Sequence, residues 1–399
     1  MAENCTRAFG RYLKTLRERR GLSLYDVCSL SQTFPDPLNK GYLSRCENGH
    51  QKLAFSKLIP LSRIYEVAPS VLVERMELDM ELDRVGAPDT NLESYEDTAT
   101  TARAALEEGR LWKAYGLFRD AVSSARLRPV LPRYKDLVEQ VRVAEMNCAT
   151  AAKSLGRIQF ALHEYLYLDN SGELSSDYHP VILLTISGCQ RSLNNLGLAE
   201  EYADRAITET ESHQVTQFLG DAYCTRALLA AQQSEPELAT TYYTKAYQAF
   251  KEVGRDSECA RTLHNLADCY LRIKRYRAAR EASQASQRLA DALSLPRGRA
   301  LSDIVLAEIE VLEKRPQEAS RHLQEAVHIA KELNDQELRF TAELARFKLA
   351  LRQERAASAR AIERRLERLA PWMPHSTGEV DDFRRLASEH ATFLGKSVS

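Results

Sequence analysis

The feature that most constrains the fold is a set of alanines that recurs every 40 residues in the second half of the chain. Five alanines share this interval: Ala199, Ala239, Ala279, Ala319 and Ala359. Small residues follow the first four of them by seven positions: Ala206, Ala246, Ser286 and Ala326. Three more alanines stand twelve residues before Ala239, Ala279 and Ala319, namely Ala227, Ala267 and Ala307. Because self-similarity at a fixed period marks a repeat architecture, the spacing predicts stacked pairs of helices that approach closely at these small residues.

Larger side chains are expected to fill the grooves between these helices. Tyr243 and Leu323 stand four residues after a second-helix alanine, and Tyr270 stands three after Ala267. Looser copies of the pattern occur upstream, at 109–121 and 156–165. We expect about seven helical pairs over residues 91–370 and a capping helix over Val380–Leu394.

These patterns resemble tetratricopeptide repeats, with helices slightly longer than in the common 34-residue form. The resemblance implies an all-α fold in which the repeats form a right-handed α-solenoid with a concave face. The first helix of each pair would line that face.

The first 72 residues differ from the rest in charge. They carry 11 Lys/Arg and 6 Asp/Glu, whereas the remainder carries 44 and 50, so a basic segment precedes an acidic one. A basic head on an acidic body suits a module that binds a polyanion.

Helix signals divide this basic head. Thr6–Arg20 reads as an amphipathic helix with arginines in its last turn, favoured there by the helix dipole, and Gly21 ends it. Ser23 followed by Asp26 is close to a capping box that starts a second helix. A fourth helix is expected over Ala54–Tyr65, and a short one from Pro69 through Val73.

The third helix lies between Asn39, a good N-cap, and Gly49, which suits a helix end. Leu43, Cys46 and Glu47 fall on one face, which we expect to point inward. Cationic and polar side chains occupy the other face. The segment is too short to be a stable helix alone, so other helices must hold it.

Two stretches of the head, Leu16–Leu24 and Tyr42–Gly49, resemble the phage-repressor type (XRE-type) helix-turn-helix over about residues 7–73. In that family the start of the third helix reads bases, which implies a role for Lys40, Gly41 and Arg45; lysine or arginine can donate to guanine. Tyr42 fits either a base or a phosphate. The remaining positions implied to contact DNA are Ser23, Ser44, Asn48, His50, Gln51 and Lys52. The resemblance also implies a structural ion pair between Arg17 and Glu47.

We therefore expect a helix-turn-helix DNA-binding domain over residues 1–75, a linker over 76–90 and a repeat domain over 91–399 that senses a ligand and dimerises. The most polar first helix contains Arg261, His264, Asn265, Asp268 and Arg272. An asparagine in a repeat groove can grip a peptide backbone, because its amide both donates and accepts. Arg191 and Lys348 occupy comparable positions in neighbouring copies. A solvated polar face is the alternative for this row.

Enzyme motifs are absent from the sequence, which lacks GxxxxGK[ST], HExxH and GxSxG. The eight cysteines make no CxxC pair and read as reduced core residues. Histidines such as His213, His264 and His328 stand singly, and most carboxylates read as solvated helix charges. We expect no catalysis, no cofactor, no metal site, no membrane partner and a cytoplasmic location.

A repressor-like head followed by tetratricopeptide repeats is similar in layout to the PlcR and Rgg type of peptide-pheromone receptor. The layout implies a homodimeric transcription regulator that binds double-stranded DNA at a palindromic operator and a short peptide or small ligand in the repeat groove. A different function is also open, in which the repeats are a protein-interaction scaffold without a small ligand.

Overall fold

The computed structural model describes residues 2–86, 95–126, 134–175, 177–212, 216–373 and 378–395. The regular structure within these ranges is helical, without a strand. The chain divides into two compact units, Met1–Glu209 and Thr210–Ser399. The described α-helices, in chain order, are α1 Ala2–Arg19, α2 Leu24–Ser31, α3 Lys40–Glu47, α4 Phe55–Tyr65, α5 Pro69–Val85, α6 Tyr95–Glu107, α7 Leu111–Arg126, α8 Tyr134–Ser154, α9 Ile158–Ser171, α10 His179–Ser192, α11 Leu196–Ser212, α12 Leu219–Gln232, α13 Pro236–Glu252, α14 Asp256–Arg272, α15 Tyr276–Ala292, α16 Pro296–Leu312, α17 Pro316–Glu332, α18 Gln336–Arg352, α19 Ala356–Leu369 and α20 Glu379–Glu389.

The 40-residue repeat consists of two 20-residue units, each a helix and a tight turn. Helices α13 to α18 each have 17 residues, and their first residues, from Pro236 of α13 to Gln336 of α18, are spaced 20 positions apart. A residue with positive φ follows each of them, as in Lys274 with φ 61°. At that turn the Arg275 N–H donates to the Tyr270 carbonyl over 2.8 Å, which satisfies a carbonyl at the end of α14. The turn geometry therefore fixes the period.

The predicted alanine register is confirmed. Ala199, Ala239, Ala279, Ala319 and Ala359 are fully buried, and Ser286 of the second series is 1% exposed. Within the two units the described helices pack in consecutive pairs, such as α6 with α7, α8 with α9 and α18 with α19, in the manner of a tetratricopeptide-like solenoid. Only small residues leave room for this approach, since interiors are packed without voids.

The predicted capping helix is α20, which packs on α18. The Phe383 ring makes edge-to-face contacts with Phe340 and Phe347, at centroid distances of 6.1 and 5.9 Å. These contacts cover the apolar face of the last pair, as a terminal cap must.

Helices α1 to α5 form the head. Gly10 allows α1 to approach α3 closely, because a Cβ there would lie 2.1 Å from the Cys46 carbonyl oxygen. The short helix predicted to begin at Pro69 is wrong in length, since α5 continues to Val85. Leu72, Leu78 and Leu82 are all buried along it, so one apolar stripe holds the whole helix. The domain boundaries at 75 and 90 stay predictions, and 87–94 lie outside the described residues.

Among the helices described, none combines the length and the low polarity that crossing a bilayer requires.

Candidate nucleic-acid interface and repeat groove

The recognition helix α3 has the predicted inward face. Leu43, Cys46 and Glu47 are buried. The Asn39 side chain accepts a hydrogen bond from the Tyr42 N–H over 2.8 Å, which confirms it as the N-cap. Lys40, Gly41, Arg45 and Asn48 are exposed on the opposite side. The positions predicted to read bases are therefore accessible.

Several side chains predicted to contact DNA also hold the loop after α3. The Tyr42 hydroxyl accepts from the Ala54 N–H over 2.7 Å and donates to the Lys52 carbonyl over 3.4 Å. Arg45 Nε donates to Gln51 Oε1 over 2.9 Å, and Asn48 Nδ2 donates to the Ser44 carbonyl over 2.8 Å. These bonds give the loop a fixed conformation.

By contrast, the side chains of Lys40, His50 and Lys52 are exposed. They make no hydrogen bond or ion pair with the rest of the described chain. These three groups can donate to an incoming nucleic acid without breaking an internal contact, so their predicted role remains open to test.

The ion pair between Arg17 and Glu47 is confirmed. Arg17 Nε and Nη2 donate to the two Glu47 oxygens over 2.7 and 2.9 Å. Hydrogen bonding to Glu47 raises the pKa of Arg17. Because Glu47 is the last residue of α3, this bidentate pair fixes the recognition helix to α1.

The predicted capping box at the start of α2 is also confirmed. Ser23 Oγ accepts from the Asp26 N–H over 3.2 Å, and the Asp26 carboxylate accepts from the Ser23 N–H over 2.8 Å. These hydrogen bonds from Ser23 lower the pKa of Asp26. Ser23 therefore has a structural role in addition to its predicted phosphate contact.

The sequence did not predict the contact between the head and the first repeats. Arg19 of α1 donates to both Glu164 oxygens over 3.0 and 2.8 Å and lies 3.5 Å from Glu145. Its guanidinium also stacks on the Tyr167 ring, 3.7 Å from the centroid. The sequence pattern assigned the arginines ending α1 only a favourable position at the helix dipole, whereas Arg19 is also surrounded by two buried carboxylates of the repeats.

Tyr12 and Phe160 complete this interface. The Tyr12 hydroxyl donates to Glu164 Oε1 over 3.0 Å, and its ring meets Phe160 edge to face at 5.6 Å. Burial alone would raise the pKa of Glu164, but the charge and hydrogen bonds of Arg19 hold that pKa at about 2. The Glu164 carboxylate is therefore ionised at neutral pH and fully partnered.

A second buried ion pair joins α5 to the repeats. Arg75 Nε donates to Asp79 Oδ2 over 2.9 Å, and Arg119 of α7 donates to Asp79 Oδ1 over 3.3 Å. The only signal in the sequence is the i,i+4 spacing of Arg75 and Asp79, which resembles an ordinary surface pair. Their burial depends on the tertiary structure.

In the unit Thr210–Ser399, the first helices place charged residues at 40-residue intervals. One such row contains Asp268 of α14, Glu308 of α16 and Lys348 of α18. A second row has an arginine at each end, Arg272 of α14 and Arg352 of α18. Arg272 Nε lies 2.9 Å from Asp268 Oδ2. A cavity of about 260 Å³ between α16 and α18 is lined by Glu308, Lys348 and Arg352.

The predicted ligand residues of α14 differ in their contacts. The Asn265 side chain is half-buried and has no hydrogen-bond partner among the residues described. His264 Nδ1 is buried without a partner, and burial lowers the pKa of this imidazole. Arg261 is exposed. A free amide next to an unpaired buried ring nitrogen leaves this stretch ready to hydrogen-bond a ligand.

The remaining predicted groove residues are less closely grouped. Lys348 forms an ion pair with Asp382 of the capping helix at 2.7 Å. Arg191 is exposed on α10, in the unit Met1–Glu209. His328 lies 3.3 Å from Glu332, and His213 lies outside the described residues.

A set of buried carboxylates stands beside the majority that were expected to be solvated. His322 Nδ1 lies 2.6 Å from Asp303, and arginines from neighbouring helices bond Glu310 and Glu343 at 2.6 and 2.7 Å. Each pair joins two helices of the stack, so these charges specify how the helices pack.

Two family models match the chain. A helix-turn-helix domain matches residues 8–76, and a tetratricopeptide repeat matches residues 218–292. The chain thus combines an N-terminal helix-turn-helix DNA-binding domain with tetratricopeptide repeats, as the sequence predicted. No curated protein shows significant sequence similarity to it.

The chain is similar to several solved structures at low identity, and two of them show the same fold with TM-scores above 0.5. The apo form of RapI is 11% identical with a TM-score of 0.57, over 75% of this chain and 84% of that one. A signal-transduction ATPase with a tetratricopeptide repeat sensor from Pyrococcus horikoshii is 14% identical with a TM-score of 0.54, over 97% of this chain and 63% of that one. PlcR from Bacillus thuringiensis, solved with the peptide PapR7 and DNA, is 13% identical with a TM-score of 0.43, over 72% of this chain and 96% of that one.

Proposed function

We propose that the protein is a sequence-specific transcription regulator whose repeats bind a short signalling peptide and thereby change operator binding. The observation that carries the proposal is the contact between Arg19 and Glu164. It joins the helix-turn-helix head to the repeats through a buried ion pair, so a rearrangement of the repeats acts directly on the head.

The DNA-binding step uses the exposed side of α3. Lys40 and Arg45 approach base edges in the major groove, while His50 and Lys52 contact phosphates. One head of this size buries little surface on DNA. Two heads in a homodimer would read a palindromic operator, with half-sites separated by about one helical turn, roughly 34 Å.

Ligand binding uses helices α14, α16 and α18, each of which is the first helix of its pair. The Asn265 amide can pair with a peptide backbone, which also presents one donor and one acceptor per residue. Asp268 and Glu308 suit a terminal amine or a basic side chain, while Arg272, Lys348 and Arg352 suit a terminal carboxylate. This alternation of charge favours a short peptide over a nucleic acid.

Coupling between the two steps is the third part of the proposal. Each helical pair is held mainly by its neighbours, so a ligand that favours one curvature of the stack changes the packing along it. Helices α8 and α9 carry Glu145 and Glu164, which hold Arg19. A shift of these helices would rotate the head and change the separation of the two recognition helices.

The proposal is tested by sequencing the genomic DNA fragments that the pure full-length protein retains, with and without a peptide fraction of spent culture medium. It predicts enrichment of one inverted-repeat motif and a change in its enrichment when peptide is added. Retention of fragments without any shared motif would contradict the DNA-binding half of the proposal.

An interaction scaffold is the second candidate, and exposed leucines favour it. Leu228 of α12 and Leu312 of α16 are 39% and 44% exposed on first helices. Apolar side chains of this kind suit a folded protein partner. A scaffold would bind a macromolecular fraction of the cell extract but not the peptide fraction, and its operator binding would not respond to peptide.

A further inference from the structure

We propose that a cleft between α1 and the first repeats is a second ligand site, which binds a small anion carrying phosphate or carboxylate groups. The cleft lies within the unit Met1–Glu209 and has a volume of about 790 Å³. This volume falls in the usual range for small-molecule sites. Helix α1 forms one wall, and α7 and α8 contribute to the other.

The α1 wall is cationic. Arg7, Arg11 and Lys14 follow one another at i, i+4 and i+7, so they share one helix face, and all three are exposed. Lys14 lies 3.8 Å from Glu18, a weak surface pair. Arg7 and Arg11 have no carboxylate partner in the part of the chain that the structure describes. Two adjacent free guanidinium groups are well suited to bind phosphate or carboxylate.

Each carboxylate that lines the cleft lies within ion-pair distance of a cation, which offsets part of its charge. Glu47 pairs with Arg17, and Glu18 pairs with Lys14. Glu164 and Glu145 lie 2.8 and 3.5 Å from Arg19, and Asp120 lies 3.3 Å from Arg119. In addition, Arg19 Nε is buried without a hydrogen-bond partner among the described residues. The cleft therefore holds unpaired cations and an unused donor, and an anion is the ligand that satisfies both.

The position of the cleft argues for a small ligand that opposes DNA binding. Asn48 and His50, predicted to contact phosphates, are among the residues that line it. Repeat residues such as Arg119 and Glu145 form the other side, so the space suits a small molecule better than a duplex. An anion bound beside Asn48 and His50 would repel the phosphates of an operator.

Calorimetric titration of the full-length protein without DNA tests the site directly, with inorganic pyrophosphate and citrate as separate probes. Glutamine at both Arg7 and Arg11 should weaken binding of the preferred probe by about ten-fold or more, because two charge-assisted contacts are lost. The matched control is Arg63→Gln, since Arg63 is an exposed arginine of α4 outside the cleft. It should bind like the wild type.

A variant on the opposite wall distinguishes the cleft from the open surface of α1. Asp120→Asn removes a negative charge that faces the anion and should tighten binding by a few-fold. Absence of binding by the wild-type protein would overturn the proposal. So would equal affinity of the Arg7/Arg11 variant, or an Asp120→Asn variant whose affinity is unchanged.

The effect on DNA is measured separately at constant ionic strength, and this arm alone rests on the proposed DNA-binding function. Pyrophosphate should weaken operator retention by the wild type and by Arg63→Gln but not by the Arg7/Arg11 variant. If the Arg7/Arg11 variant binds DNA poorly without any anion, the two arginines themselves contact DNA, and the claim that the anion opposes DNA binding from a separate site is wrong. If the wild type binds no DNA, the proposed function fails while the calorimetric result still decides the anion site.

Discussion

Arg19 in the first helix and Glu164 in the repeats, 145 residues apart in the chain, form a buried bidentate ion pair with N–O distances of 3.0 and 2.8 Å. Only 10% of the Arg19 side chain and 7% of the Glu164 side chain are exposed. The pair fixes the orientation of α1 on α9. Because α1 is bonded to α3 through Arg17 and Glu47, the position of the recognition helix depends on the repeats.

Arg19→Ala should therefore destabilise the protein by about 3–5 kcal/mol, because it leaves the Glu164 carboxylate buried without its main partner. Chemical unfolding followed by circular dichroism measures the difference. Arg20→Ala is the matched control, since Arg20 pairs with Glu66 on the exposed surface. It should cost no more than about 1 kcal/mol. Equal losses for the two variants would show that the pair to Glu164 does not hold the head.

The stability contributed by Glu164 should depend on pH in a defined direction. Its pKa is about 2 in the folded protein, below the unfolded value of about 4.3, so the ionised form stabilises the fold above the unfolded pKa. Glu164→Gln should cost up to about 3 kcal/mol at pH 7, and this difference from the wild type should shrink as the pH falls from about 4.5 toward 3. Unfolding curves at several pH values check it. A difference that grows on acidification would have the opposite sign and contradict this assignment.

Gly10 should be essential to the head for steric reasons. A methyl group there would lie 2.1 Å from the Cys46 carbonyl oxygen, so Gly10→Ala must separate α1 from α3 and should cost about 2–3 kcal/mol. Gly197→Ala in α11 is the control, because its Cβ would meet no atom within 4 Å. Thermal unfolding should show a clear decrease in midpoint for the first variant and no decrease for the second. Similar midpoints would mean that the two helices can separate without penalty.

Features set by short-range spacing were predictable from the sequence. The capping box at Ser23 and Asp26 depends only on local hydrogen bonds. The regularly spaced alanines mark the positions where two helices contact each other, and they are buried. The 20-residue unit was not predicted, because the residue at its left-handed turn varies. It is Lys274 in one copy, Ser294 in the next and Asn334 further along, so only the geometry repeats.

The contact between the head and the repeats could not be predicted from such patterns. Arg19 lies in a run of basic residues at a helix end, and Glu164 is one of two acidic residues in the largely apolar helix α9, so no local pattern links the two residues. Their pairing depends on how α1 and α5 fold back onto α9. The same holds for Asp79, which is fully buried although its helix is acidic and resembles a linker.

Lys40→Ala and Arg45→Ala should each weaken specific operator binding by about 1–3 kcal/mol, the usual loss for one side chain that reads a base. Arg45→Ala should also loosen the loop after α3, since Arg45 bonds Gln51. Band-shift titrations with the selected operator and with unrelated DNA measure both affinities. Arg63→Ala, on an exposed part of α4, should leave specific binding unchanged. If either variant lost the same affinity for unrelated DNA as for the operator, its side chain would contact phosphates and would not read a base.

The most direct test of the central claim, that a peptide in the repeat groove changes the DNA affinity of the head, is to titrate the selected operator with the peptide fraction of spent medium. The proteins compared are the wild type, Asn265→Ala and the matched control Gln284→Ala, an exposed amide on the second helix α15. The account predicts that peptide changes the operator affinity of the wild type and of Gln284→Ala but not that of Asn265→Ala. An equal change in all three proteins, or none in the wild type, would contradict it.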